Sequence, residues 1–338
     1  MITIKEVAEL VGVSKATVSR VINNSGYVNS ETRRKVEEVV KKYNYVPSAN
    51  AVNLSKQETS TIGVVVPEID NMFYGEIVHG ITEVADENGL SLIIFDTQNN
   101  EIKELQALQT LSQQRVRGLL LAPAVDYAKR EAGDMIRRQL KALNIPVVIL
   151  DRDSEKMDWD GVFYENYESS YQVARTFSEA GHHRVGIITG DLELKIGRDR
   201  LAGFCDGARD FGLQLDERDI MKGNFLTDRA YQLAKEMFLS GDMPDAVYTC
   251  NNRTSIGFMK AAFECGIKTG QDIGFMGNDR IAILDSVGLE FSCVYRDTFE
   301  MGRTGLRLLL DRIEHPDQPP KVSRISYQVR LVGTEKKQ

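Results

Sequence analysis

No apolar run in the 338-residue chain comes near the roughly 20 residues that span a bilayer. The longest, Leu119-Leu120-Leu121-Ala122-Pro123 and Val147-Val148-Ile149-Leu150, fall far short of that. The opening Met1-Ile2-Thr3-Ile4-Lys5-Glu6 has no basic stretch followed by an apolar segment, so no secretory leader is expected. Cysteine is scarce: Cys205, Cys250, Cys265 and Cys293 are scattered without a CxxC spacing, which argues against a zinc site or a disulfide framework. Histidine offers no metal pair either. His182 and His183 are adjacent and point to different faces, while His79 and His315 stand alone. There is no G-x-S-x-G and no Walker loop, and Gly181 to Gly190 has the wrong spacing to cradle phosphate. Neither catalysis, nor a metal, nor a cofactor is expected. Low-complexity tracts are missing too. With 42% hydrophobic and 27% charged residues the composition is that of a soluble globular protein of two or three domains, expected in the cytoplasm.

The net charge of −7 argues, taken whole, against a nucleic-acid partner. Its distribution reverses that at one end. Residues 1–60 hold nine basic residues against six acidic ones, and the remainder holds 33 against 43. A small basic module precedes a large acidic body.

Residues 1–47 read as three short helices. Thr3-Ile4-Lys5-Glu6 fits a capping box, with Ile2 and Val7 at staple positions around it. Ile4, Val7, Ala8 and Val11 repeat at helical steps, and Gly12 is placed for a C-cap. Ser14 caps a second helix, Lys15 to Ile22, with Val18, Val21 and Ile22 inward; Asn23-Asn24-Ser25-Gly26 breaks it. Ser30 or Asn29 caps a third, carrying Val36, Val39, Val40 and Tyr43 on one face, and Pro47 ends the module. Gly12 to Arg20 thus has the form of a helix-turn-helix whose second helix shows short polar residues at its N-terminal end. Small side chains there let a helix approach the floor of a DNA major groove.

Residues 48–61 are polar and read as a linker able to form a helical turn or two. From Ile62, near-continuous apolar strands alternate with amphipathic helices, predicting parallel sheets covered on both faces. The expected strands include Ile62–Val66, Ser91–Asp96, Gly118–Ala122, Val147–Leu150, Val185–Thr189, Ile220–Gly223, Ala246–Cys250 and Asp272–Met276. The series divides near Asp158–Gly161. The expected fold is therefore α/β: a helix-turn-helix headpiece (1–47), a linker (48–61) and two doubly wound lobes. The lobes are placed at 62–158 with part of 291–317, and at 159–290 with part of 318–333. Ligands of such units bind at the carboxyl ends of the strands.

Thr3-Ile4-Lys5-Glu6-Val7-Ala8, Gly12-Val13-Ser14, Thr17-Val18-Ser19-Arg20-Val21-Ile22-Asn23, Thr32-Arg33 and Tyr45-Val46-Pro47 together resemble the LacI/GalR family of bacterial transcription regulators. Weaker motifs continue in the family's order: Pro67 to Tyr74, Arg117-Gly118-Leu119-Leu120, Gly181-His182, Arg184-Val185-Gly186, Arg200 to Phe204, and Asp272 to Phe275 with Asp279. The resemblance implies a repressor that binds a pseudo-palindromic operator as a homodimer, with a two-lobed core like that of periplasmic binding proteins. It gives Lys15, Ala16 and Arg20 the base-reading positions; Arg20 suits guanine and Ala16 a thymine methyl. Ser14, Thr17, Ser19 and Asn23 are expected to hold phosphates. Residues 48–56 correspond to a hinge helix that orders on the operator, with Asn53 and Lys56 at the DNA and Leu54 levered into the minor groove. Asn50-Ala51-Val52 stands where the family often has Val-Ala-Arg, which removes one cation from that hinge.

The family's effector cleft maps onto Phe73, Tyr74, Asp151, Arg200, Phe225, Asn252 and Asp279. These residues offer hydroxyl acceptors, a forked donor and an aromatic face, which suits a sugar or sugar derivative. Purine-responsive relatives carry an arginine where this chain has Leu194 and a threonine where it has Ile196, so a nucleobase is not expected. Asn252, Arg253, Glu165 and Arg296 depart from the usual pattern, and Arg253 or Arg296, turned inward, favours an acidic or phosphorylated sugar. Two alternatives remain: a sugar-binding protein or enzyme sharing the two-lobed fold, and a regulator driven mainly by a protein corepressor.

Overall fold

A computed structural model describes residues 2–45, 59–128, 131–154 and 158–337. The chain divides into two compact units, Met1–Thr59 and Ser60–Gln338. The first contains α1 (Ile4–Val11), α2 (Lys15–Ile22) and α3 (Ser30–Lys42). Their apolar faces meet in a small core of Val7, Ala8, Val18, Val21 and Val36. Asn29, not Ser30, caps α3: its Oδ1 accepts from Glu31 N at 2.8 Å.

The second unit holds β1 (Thr61–Val66), α4 (Met72–Glu87), β2 (Ser91–Asp96), α5 (Glu101–Gln114), β3 (Gly118–Leu121), α6 (Glu131–Leu143), β4 (Val147–Leu150) and β5 (Asp160–Tyr164). It continues with α7 (Asn166–Glu179), β6 (Val185–Thr189), α8 (Lys195–Asp210), β7 (Ile220–Lys222), α9 (Thr227–Ser240), β8 (Ala246–Thr249) and α10 (Asn252–Cys265). Last come β9 (Gly274–Asn278), α11 (Ala282–Ser286), β10 (Ser292–Arg296), α12 (Thr298–Glu314), β11 (Val322–Ile325) and β12 (Tyr327–Arg330).

Two six-stranded sheets result, ordered β11-β5-β4-β3-β1-β2 and β12-β10-β9-β8-β6-β7. Every pairing is parallel except β10 with β12. Strands such as β1, β3, β4 and β8 are buried along almost their whole length, which is why they read as unbroken apolar runs. Each lobe has a core on either face of its sheet. The close approach of α4 to α12 requires Gly80, where a Cβ would fall 2.1 Å from the Phe299 carbonyl oxygen.

The lobe border differs from the one the sequence suggests. The sequence division near Asp158–Gly161 puts Asp160–Tyr164 in the second lobe, but β5 lies between β4 and β11 in the first sheet. Its Asp-Gly opening and three apolar residues resemble a turn. Pairing on both sides, and the buried Asp160 accepting from Arg312 Nε at 2.7 Å and Nη2 at 2.8 Å, make it a strand. Of the two shared segments, 291–317 gives β10 to the second sheet and α12 to the first lobe, while 318–333 gives β11 to the first sheet and β12 to the second. The chain therefore crosses between lobes three times, through single residues between elements: Glu165, Asp297 and Ser326. Among the described residues, no helix is long and apolar enough to cross a membrane.

Candidate functional site

In the N-terminal unit the local sequence dictates the helix positions. Thr3 and Glu6 form a reciprocal box: Glu6 N donates to Thr3 Oγ1 at 3.3 Å, and Thr3 N to Glu6 Oε2 at 2.7 Å. Those bonds from Thr3 hold the Glu6 carboxyl below its ordinary value. Gly12, at φ +73°, ends α1 in the left-handed conformation that lets the chain turn into α2. Ser14 caps α2 by accepting from Thr17 N at 3.1 Å.

With Val18 and Val21 buried, the outer side of α2 shows Lys15, Ala16 and Arg20, all exposed. Among the described residues no ion pair engages Lys15 or Arg20. Both cations are available to a partner. Asn23 is exposed and donates to Ser19 Oγ at 3.2 Å. The Ser14 and Thr17 hydroxyls lie 2.9 Å apart, so the capping geometry occupies part of the capacity that phosphates would use. Asn53, Leu54 and Lys56 lie outside the described residues.

In the larger unit all seven expected residues (Phe73, Tyr74, Asp151, Arg200, Phe225, Asn252 and Asp279) line one cavity of about 280 Å³ between the lobes. Each comes from a segment that follows a strand's carboxyl end. Three of the seven, Asp151 (φ +62°), Phe225 (φ +60°) and Asp279 (φ +76°), hold left-handed backbone. Non-glycine residues pay about 1–3 kcal/mol for such conformations, which cluster at ligand sites. Gly190 makes room for Phe225: a Cβ there would fall 2.1 Å from the ring. Phe73 and Phe225 bring one aromatic ring from each lobe.

The polar groups are tightly placed. Tyr74 donates its hydroxyl to Asp151 Oδ2 at 2.9 Å, and burial raises the phenol well above its ordinary value. Asn252 Nδ2 donates across the cleft to Asn71 Oδ1 at 2.7 Å. Arg200 is buried, donating Nε to Asn166 Oδ1 at 2.9 Å and Nη1 to the Cys250 carbonyl; it pairs with neither Asp199 nor Asp206. Asn71, Arg152 and Asn251, which the sequence does not mark as cleft residues, line it too, and so does Arg296, one of the two arginines considered for an inward position.

Arg296 does turn inward. Its Nε donates to Asp279 Oδ1 at 2.8 Å, and its guanidinium lies 5.1 Å from the Phe73 ring centroid and 4.4 Å from that of Tyr164. Burial opposes its charge, but Asp279, Tyr164 and Asp151 together outweigh burial and raise its pKa. Arg253 instead turns to Glu68 at 3.2 Å and Asp70 at 2.9 Å, and Glu165 pairs with Arg324 at 3.3 Å. On the other side of the cleft Arg198 meets Asp126 at 2.7 Å and Lys195 meets Asp153 at 3.2 Å. Among the described residues no group of three or more His, Cys, Asp or Glu is arranged to hold a metal ion.

Comparison with known proteins accords with both units. Residues 3–48 match the family described as bacterial regulatory proteins, lacI family, and residues 59–331 match periplasmic binding proteins and sugar binding domain of LacI family. The ribose operon repressor of Haemophilus influenzae is 30% identical over 320 residues, 94% of each chain. The repressor PurR of Vibrio atlanticus is 30% identical over 322 residues, 95% of each chain. Among solved structures, the transcriptional regulator CelR in complex with cellobiose superposes with a TM-score of 0.72 at 25% identity, covering 98% of this chain and 99% of that one. The Lac repressor dimer bound to operator and an anti-inducer gives 0.84 at 24% identity, over 98% and 99%, a likeness of fold.

Proposed function

The chain belongs to the LacI family of DNA-binding transcriptional regulators, and from that premise we propose a cytoplasmic repressor that reads operator DNA with α2 and answers to a sugar-class effector between its lobes. The observation that carries the first half is the outer side of α2: Lys15, Ala16 and Arg20 stand exposed, the two cations unpaired among the described residues, on a helix fixed by its cap and by Val18 and Val21. Arg20 would contact a guanine edge and Ala16 a thymine methyl; Ser14, Thr17, Ser19 and Asn23 would hold phosphates with their remaining hydrogen-bonding capacity. Asn53, Leu54 and Lys56 belong to the proposed contact set on the strength of the family's hinge. No catalytic step is proposed.

One small basic module binds DNA weakly, because affinity grows with the phosphates neutralised. We assign dimerisation to the acidic body. On α10, Ile256 and Phe263 are two turns apart and exposed, Phe263 at 87%. A homodimer supplies two α2 helices, one for each half-site of an operator whose half-sites lie about one helical turn apart.

A sugar effector is supported by Asp151, Arg200, Asn252 and Asp279 lining the same cavity as the rings of Phe73 and Phe225. Against a purine stand Leu194 and Ile196, both buried at the cavity wall with no side-chain donor or acceptor. Each unmatched nucleobase edge atom would cost about 1–3 kcal/mol. The name of the purine repressor relatives favours the second reading, a nucleobase effector. Selecting duplexes from a random library on the full-length protein, then titrating the winner with sugars, hypoxanthine and guanine, tests both halves. A palindromic winner released or tightened by a sugar is expected. No sequence preference, or a response to a purine alone, would reject the reading.

A further inference from the structure

Five charged side chains lining the cavity are more than nine-tenths buried: Arg152, Arg200, Arg296, Asp151 and Asp279. Three are cations and two are anions. Asp279 answers Arg296, and Asp151 lies beside Arg152, whose charge it supports. Among the described residues no carboxylate lies in ion-pair contact with Arg200. Its donors reach only neutral acceptors, the Asn166 amide oxygen and the Cys250 carbonyl, and its Nη2 has no partner among the described residues. Burial and then the Arg296 guanidinium lower the Arg200 pKa, and the opposing pull of Asp279, Tyr248 and Asp151 does not make up the difference. Arg296 itself keeps Nη1 buried and unpartnered. A buried cation without a counter-charge is costly, and so is an unmatched donor.

We propose that Arg200 and Arg296 form an anion subsite, so that the effector is a monosaccharide carrying a negatively charged group, a carboxylate or a phosphate. This rests on the sugar-effector reading above and narrows it. The unpartnered Asp151 Oδ1 supplies an acceptor for a hydroxyl, so the same cavity offers recognition for both ends of such a molecule. Planar guanidinium forks suit carboxylate and phosphate oxygens alike.

The test is isothermal titration of the full-length protein. The neutral probes are D-glucose, D-galactose and D-ribose. The anionic ones are D-gluconate, D-glucuronate, D-galacturonate, D-ribonate, glucose 6-phosphate and ribose 5-phosphate. At least one anionic sugar is expected to bind about tenfold or more tightly than its neutral parent, the margin of one charge-assisted bond. Whether a carboxylate or a phosphate wins identifies the group. Arg296→Gln is expected to erase that margin. Because it leaves Asp279 buried and unpaired, the double variant Asp279→Asn with Arg296→Gln provides a folded comparison, expected to show no anionic preference. A neutral sugar binding as tightly as its anionic partners would overturn the anion subsite while leaving the sugar reading standing. A margin that survives in both variants would overturn the role of Arg296. Failure of every sugar to bind, neutral and anionic alike, would overturn both.

Discussion

Arg198 on α8 reaches across the cleft to the buried Asp126 of the other lobe, its Nη2 lying 2.7 Å from Asp126 Oδ2. Burial alone would raise the Asp126 carboxyl. Bonds from Arg198, from Ala128 N at 3.0 Å and from Ser154 Oγ at 2.8 Å outweigh it and hold the group below its ordinary value. Together with Arg253 on Glu68 at the opposite side, this pair ties the two lobes in one relative orientation.

Arg198→Met is therefore expected to loosen the lobes without unfolding them. A partly buried pair of this kind contributes about 1 kcal/mol, which moves a two-state orientation equilibrium by about fivefold. Small-angle scattering of the ligand-free variant should show a larger radius of gyration, restored by an effector. An unchanged scattering curve would remove the pair from the lobe equilibrium.

Phe263→Glu is expected to yield monomers. A charge in the centre of an apolar contact cannot be buried unpaired, so association should weaken by more than about 2 kcal/mol. Sedimentation velocity at micromolar concentration checks this. A variant that remains dimeric would place the subunit contact elsewhere.

Glu104 gives the body a pH signature. Burial pushes its carboxyl up to about 7 from an ordinary 4.5, against bonds from the Tyr127 hydroxyl and from Ala124 N at 2.6 Å. The folded state thus favours the protonated acid. Its contribution is full below about pH 4.5 and is lost as pH rises through 7, on the order of 3 kcal/mol at 1.36 kcal/mol per unit. Thermal melts from pH 5 to 8 should show stability falling, and Glu104→Gln should flatten that slope. Equal slopes in both proteins would contradict the assignment.

What could be read from residues alone followed local physics. Thr3, Gly12 and Ser14 marked the helix ends because caps are local, and the apolar runs of β1, β3 and β4 marked buried parallel strands. β5 escaped because its strand character comes from pairing with β4 and β11 rather than from its own composition. The cleft aspartates and aromatics were legible through the family motifs. Arg152 was not, since an arginine after a strand carries no sign that it will fold back over Tyr74, 5.9 Å from the ring centroid. The Arg296–Asp279 pair joins two strands adjacent in the sheet but separated along the chain, so only topology reveals it.

On the reading proposed above, the exposed side of α2 reads DNA. Fluorescence anisotropy of the full-length protein on its selected operator and on a shuffled duplex, for the natural sequence and for Arg20→Ala, tests it most directly. Loss of a bidentate base contact should cost about 1–3 kcal/mol per subunit on the operator, leave binding to the shuffled duplex nearly unchanged, and relax the preference at one base pair of each half-site. Equal operator affinity for both proteins would contradict the claim.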